Sequence, residues 1–196
     1  MVVGLGNPGA EYARTRHNAG FEVVERLVRA WGCGWQAEGA FSARLARAEF
    51  AGRKVLLAQP QTYMNLSGTA VARVVGYYRV ALHQLLVVVD DADLPLGELR
   101  LRGRGSAGGH HGLESVEQAL GTREYGRLRL GIGRSGAARQ IRGYVLGRFR
   151  KEEQALAEAM VDRAVRQIEC WLGWGLEKAM NDFNGAEKLP EQRKAE

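Results

Sequence analysis

Cysteine is scarce in this sequence, and the two present, Cys33 and Cys170, lie far apart with no C-x-x-C spacing. That excludes a disulfide framework and a thiolate zinc cluster, and it fits a reducing compartment. Both thiols read as core or surface residues. Long apolar runs are also missing. The most conspicuous, Leu85 to Val89, falls far short of the roughly 18 residues a membrane span needs. The first residues show no basic stretch followed by an apolar core, so export is not expected and a cytoplasmic location is. Repeats and low-complexity linkers are absent too.

What remains describes one globular α/β domain. With 196 residues, 45% of them apolar and 26% charged, the chain can bury a core without a disulfide or metal staple. Its charge is uneven. Residues 1–98 hold 10 Lys/Arg against 9 Asp/Glu, residues 99–151 hold 12 against 3, and residues 152–196 hold 6 against 10. In the basic middle third only Lys151 is lysine; the other eleven cations are arginine, whose forked guanidinium suits bidentate phosphate binding. The clustering points to a polyanionic partner.

Hydrophobic spacing alternates between strand and helix signals. Val2 to Leu5 reads as a strand, and Phe21, Val24, Leu27, Val28 and Trp31 recur at helical spacing. Ala43 to Phe50 and Lys54 to Ala58 flank Ala51-Gly52-Arg53 as a hairpin ended by Pro60. A helix is expected over Leu66 to Tyr78 with Asn65 or Ser67 near its cap, then a buried strand at Leu85 to Val89. Strands follow at Leu99 to Arg102 and Leu128 to Ile132, separated by a glycine-rich loop and a helix around Leu113 to Leu120. The spacing of Leu156, Met160, Ala164, Ile168 and Trp171 predicts a long amphipathic helix from Lys151 to about Trp174. The expected architecture is a three-layer sandwich, a mixed and mostly parallel sheet flanked by helices. Residues 1–184 form the domain, and 185–196 a polar, frayed tail.

Gly4-Leu5-Gly6-Asn7-Pro8-Gly9 satisfies G-x-G-x-x-G after a strand. A dinucleotide site needs the third glycine in the first turn of a helix, and no apolar helical stripe begins before Phe21. The turn instead offers Asn7, an amide at the carboxyl end of the first strand. Four more clusters follow: Tyr12, Thr15, Arg16, His17 and Asn18; Pro60 to Gly68; Asp90 to Gly97; and Gly103 to Gly112. His17 lies in a polar loop just past a strand end, where α/β proteins place their sites, and not on an apolar helix face. Carboxylates at the end of a buried strand need a partner, so one of Asp90, Asp91 and Asp93 should meet a histidine or arginine.

Together these stretches resemble the bacterial peptidyl-tRNA hydrolase family. The residues that carry the resemblance are GLGNPGAEYARTRHNAGF at 4–21, PQTYMNLSG at 60–68, DDADLPLGELRLR at 90–102, GSAGGHHGLESV at 105–116, LRLGIGR at 128–134 and GYVLGRF at 143–149. The resemblance implies hydrolysis of the ester joining a peptide to the terminal ribose of tRNA, by a monomer without metal or nucleotide cofactor. It implies that His17 is the catalytic base and Asp90 its partner. Asn7, Asn65, Tyr12 and Tyr63 would line the substrate cleft, and Arg100, Arg102 and Arg129 would meet tRNA phosphates. The family usually has asparagine where this chain has His111, whose imidazole can still donate or accept a hydrogen bond. The segment beyond Lys151 is expected to cover part of the cleft.

The residue types suit that chemistry. An ester needs a general base and charge stabilisation, and a neutral imidazole can remove a proton from water. Asp90 would fix its tautomer, while Asn7, Asn65 and His111 would orient the peptide and the developing oxyanion. Arg16 beside His17 would by itself disfavour protonation. Three rival readings stand beside it: a serine hydrolase using Ser67 or Ser106 with His17 and an Asp, which lacks a G-x-S-x-G elbow; a metal hydrolase through Asp90, Asp91, Asp93 and His110/His111; and an RNA-binding module with a degenerate site.

Overall fold

A computed structural model describes residues 1–133 and 141–187. Among the described residues seven strands form one sheet: β1 (Val2–Gly4), β2 (Gln36–Glu38), β3 (Ala43–Phe50), β4 (Arg53–Pro60), β5 (Leu86–Asp91), β6 (Leu99–Arg102) and β7 (Gly126–Gly131), ordered β2-β3-β4-β1-β5-β7-β6. The central strands β4, β1, β5 and β7 run parallel, while β3 and β6 pair antiparallel with their neighbours. The sheet is therefore mixed, as expected, with three parallel pairings at its centre and three antiparallel ones toward its edges.

Helices cover both faces because the strands alternate two apolar sets. Val2, Leu57, Leu86, Val88 and Leu128 meet α1 (Ala19–Ala30), α5 (Lys151–Trp174) and α6 (Leu176–Phe183). Val3, Leu45, Val87 and Val89 meet α2 (Ser67–Tyr78) and α3 (His111–Leu120). A short α4 (Ile141–Val145) precedes α5. Leu86 to Val89 are fully buried, the pattern of a parallel strand covered on both sides. Cys33 and Cys170 are free thiols packed partly buried against the first core.

The glycines of the first turn serve packing. A Cβ on Gly4 would lie 2.1 Å from the Gly20 carbonyl oxygen, and one on Gly6 would lie 2.6 Å from the Phe21 ring. One on Gly20, in the first turn of α1, would lie 2.3 Å from the Val88 oxygen. These hydrogen-only contacts let α1 press onto the ends of β1 and β5. Before α1 the chain makes two 3-10 turns, Ala10–Tyr12 and Arg16–Asn18, and no α-helix opens at Gly9.

Several expectations need correction. Asn65 and Ser67 do flank the α2 cap position, which is Leu66, but a 3-10 turn over Met64–Leu66 leads into the helix and no side chain bonds at the cap. The third helix starts at His111, two residues earlier than its apolar spacing suggested, because the His110 Nδ1 accepts the Leu113 N–H. β2, α4 and α6 were not anticipated. The boundary expected at Asn184 falls inside a bonded segment. Asn184 bonds both backbone groups of Leu101, Gly185 bonds both of Leu99, and the buried Arg163 guanidinium donates to the carbonyls of Phe183, Gly185 and Ala186. Most of the tail expected to fray, 188–196, lies outside the described residues, as does Arg134 of the LRLGIGR stretch.

Candidate active site

The carboxyl ends of β1, β4 and β5 open onto a groove of about 820 Å³. Asn7 follows β1, the turn holding His17 packs beside it, Tyr63 and Asn65 follow β4, and Asp90 is the penultimate residue of β5. The arrangement obeys the rule that open α/β sheets place sites beyond the carboxyl ends of their strands. His17, Asp90, Asn7, Tyr12, Tyr63, Asn65, His111 and Arg129 all line the groove. Arg100 and Arg102 do not; they stand exposed on β6, alternating with the buried Leu99 and Leu101.

At its centre, His17 Nδ1 lies 2.9 Å from Asp90 Oδ1. His110 Nε2 lies 3.1 Å from the same oxygen, and the two rings are 5.1 Å apart, tilted. The His110 tautomer is fixed from both sides: Nδ1 accepts the Leu113 N–H, so Nε2 carries the proton and donates it to Asp90. With its Nδ1–H committed to Asp90, a neutral His17 carries its lone pair on Nε2. Asp90 is only 2% exposed. Burial alone would raise its carboxyl, but the two imidazoles facing it overcome that and hold it well below the usual carboxylate range.

Asn7 is equally constrained. Its Oδ1 accepts the Met64 N–H at 2.7 Å, so its NH₂ is the end left for a ligand. The buried Asn18 amide holds the Asn7 backbone at both groups, accepting from N–H and donating to the carbonyl, each at 2.9 Å. An amide donor fixed in this way needs no reorganisation when charge develops opposite it. Tyr12 and Tyr63 meet edge to face at 6.5 Å between ring centres.

Other sequence expectations fare differently. Asp90 and Asp91 both find the cationic or imidazole partners expected of buried strand-end carboxylates, Asp91 through Arg129 at 3.1 Å. Arg129 also donates to the carbonyls of Ser106 and Ala107, so it braces the glycine-rich loop against β5. His111 is 74% exposed, with Nδ1 on Glu114 of its own helix at 3.0 Å. Arg16 does not leave an unbalanced charge beside His17: its guanidinium bonds Glu153 at 2.6 Å. Neither Ser67, fully buried, nor Ser106 lines the groove. The carboxylate and histidine set imagined for a metal is dispersed, since Asp91 is taken by Arg129 and His111 by Glu114. A different trio, His17, Asp90 and His110, has ligand atoms within 4.8 Å of one another.

His110 is the site residue that sequence reasoning passed over in favour of its neighbour. A signal existed. His110 stands three residues before the apolar Leu113, on the inward side of the coming helix, whereas His111 stands three before Glu114.

A doubly wound sheet with a carboxylate-braced imidazole in its edge groove defines an α/β protein equipped as a hydrolase. Comparison with known proteins agrees. The family described as peptidyl-tRNA hydrolase matches residues 1–192. A peptidyl-tRNA hydrolase of Synechococcus sp. (strain JA-2-3B'a(2-13)) is 49% identical over 184 residues, covering 94% of this chain and 82% of that one. One from Synechocystis sp. (strain ATCC 27184 / PCC 6803 / Kazusa) is 45% identical over 190 residues, covering 97% and 98%. Among solved structures, a complex of peptidyl-tRNA hydrolase with N-propanol superposes with a TM-score of 0.90 at 37% identity, over 96% of this chain and 95% of that one. The enzyme from Acinetobacter baumannii gives 0.89 at 36% identity, over 93% and 94%. The chain belongs to the peptidyl-tRNA hydrolase family.

Proposed function

We propose that this protein hydrolyses the ester between the C-terminal carboxyl of a peptide and the 3′-terminal ribose of tRNA, with His17 as general base. The observation that carries the reading is the His17–Asp90 pair at 2.9 Å in a groove also lined by the Asn7 amide. Water loses a proton to His17 Nε2 as its oxygen adds to the ester carbonyl. The imidazolium is stabilised by the Asp90 carboxylate, and the Asn7 NH₂ faces the developing oxyanion. On collapse the imidazolium returns the proton to the departing ribose oxygen. Tyr12, Tyr63 and Asn65 border the part of the groove that would take the peptide, while the exposed Arg100 and Arg102 of β6 bind tRNA phosphates without reading bases.

The test is release of peptide from N-blocked aminoacyl-tRNA, with and without a chelator. Release that continues in the chelator is expected. Loss restored by a divalent ion would move the reading to a metal held by the His17, Asp90 and His110 trio. No release in either condition would leave an RNA-binding module.

The arginines separate into two roles. Arg102→Ala removes an exposed side chain from β6, so KM for full-length tRNA substrates should rise and the salt slope of binding should fall by about one unit or less. A minimal substrate without the tRNA body should be turned over as before. Arg129→Ala should impair both substrates, because it frees Asp91 and the carbonyls of Ser106 and Ala107. Steady-state kinetics on the two substrates checks this; identical behaviour of the two variants would contradict it.

A further inference from the structure

Arg16 precedes His17 and is 4% exposed, yet it does not line the groove. Its Nη2 donates to Glu153 Oε2 at 2.6 Å and its Nη1 to the Arg148 carbonyl at 2.7 Å. The guanidinium lies over the Tyr144 ring at 4.2 Å and the Phe149 ring at 5.1 Å. Its backbone N–H donates to the Gly147 carbonyl at 2.9 Å, and Thr15 bridges to Arg148. Segment 144–149 therefore encloses Arg16, while two of its residues, Val145 and Leu146, form a wall of the groove. Glu153 has a second duty. It stands third in α5, and its carboxylate also accepts the Arg150 N–H at 2.8 Å and the Arg150 side chain at 3.0 Å. One carboxylate thus starts α5 and holds the turn that carries His17.

We propose that Arg16 and Glu153 are positioning residues for the His17 base. Their ion pair, closed over by segment 144–149, fixes the Arg16–Asn18 turn against β5 and so sets the His17–Asp90 hydrogen bond, tying it to the groove wall. The inference rests on the reading of His17 as base. Among the described residues, the titratable and charged groups around His17 are Asp90 and His110, with Tyr12, Tyr63, Asp91, Asp93, His111 and Arg129 elsewhere along the groove. A loosened turn would weaken the pairing with Asp90 and, with it, the Coulombic support the anion gives a proton on the imidazole.

The experiment compares Arg16→Gln, Glu153→Gln and the double variant Arg16→Gln/Glu153→Gln in the full chain, with Arg150→Ala as control. Positioning predicts that kcat falls about 10- to 100-fold in all three, with a smaller change in KM, since displacement of a catalytic group by about 1 Å costs that much. The acidic limb of the pH–rate profile should move to lower pH in all three. The proton resonance of His17 Nδ1–H, hydrogen-bonded to Asp90, should shift upfield or vanish. Arg150→Ala, which leaves the Arg16–Glu153 pair intact, should keep the limb and the resonance.

A purely electrostatic effect would move the limb in opposite directions in the two single variants and not at all in the double one, which would overturn the proposal. So would a double variant with normal kcat and resonance that only unfolds sooner. The double variant leaves no uncompensated buried charge, so it stays testable if either single variant fails to fold. If the wild type releases no peptide, the functional reading fails on its own. The resonance, which needs no substrate, still judges the clasp.

Discussion

His17→Ala should lower kcat by about 100- to 10,000-fold, the usual worth of a general base, while tRNA binding and the fold survive. The survival is argued from geometry. The ring is partly exposed at the groove, so its loss leaves no closed cavity. Asp90 keeps the His110 Nε2–H donor on the same oxygen, so its buried carboxylate is not orphaned. Arg16, Asn18 and the packing of α1 on Gly4 and Gly6 hold the turn without the imidazole. Single-turnover hydrolysis together with a tRNA binding isotherm measures both halves. A variant with wild-type kcat/KM would remove His17 from the mechanism. A variant that loses binding as well would make its role structural.

Asp90→Asn should have nearly as large an effect on kcat and should move the acidic limb of the pH–rate profile to lower pH. Both imidazoles address one oxygen, Oδ1, so an asparagine that places its carbonyl there keeps both hydrogen bonds and removes only the charge. The unprotonated base is the active form, and the variant removes the anion that, at 2.9 Å, favours the protonated one. The same substitution has a stability signature. A carboxyl held below its ordinary value in the folded state contributes stability that is present above about pH 4 and is lost as the pH falls below it. The difference in unfolding free energy between wild type and variant should therefore shift across that acid range. An unmoved kinetic limb would transfer the partnership to another carboxylate, and Asp91, already held by Arg129, would be the first to examine.

The two predictions show which parts of the molecule were legible in the sequence. The bounds of β3, β6 and α5 match the hydrophobic spacing, because each is long or alternating enough to express its period. β2 has three residues and α4 five, too few for any period to show, and α6 hides behind Gly175 as eight residues of mixed character. In the site, Asn7 and Asp90 were recognisable because each stands at the carboxyl end of a strand, and His17 because it lies in a polar stretch without an apolar helical stripe. The partners that hold them were not. Asn18 acts through its amide on a backbone eleven residues away, His110 is masked by an adjacent histidine, and Glu153 meets Arg16 across 137 residues. Local pattern carries no record of contacts made at that separation. The glycine fingerprint was ambiguous for a related reason: the same residue type permits close approach to a phosphate or to a helix, and only the position of α1 distinguishes them.

The pairing of Asn184 and Gly185 with the outer edge of β6 bears on how the chain is born. β6 is complete once Arg102 has been added, and β7 covers its inner edge by Gly131, but the outer edge waits for residues more than 80 positions later. At an elongation rate of about 5 to 20 residues per second, the ribosome leaves that row of backbone donors and acceptors open for roughly 4 to 17 seconds. Open strand edges recruit other strands. Arg100 and Arg102, exposed on that same strand, place like charges on any two nascent copies that meet there, so the arginines that the sequence offers to a polyanion also keep the unfinished sheet from pairing with itself.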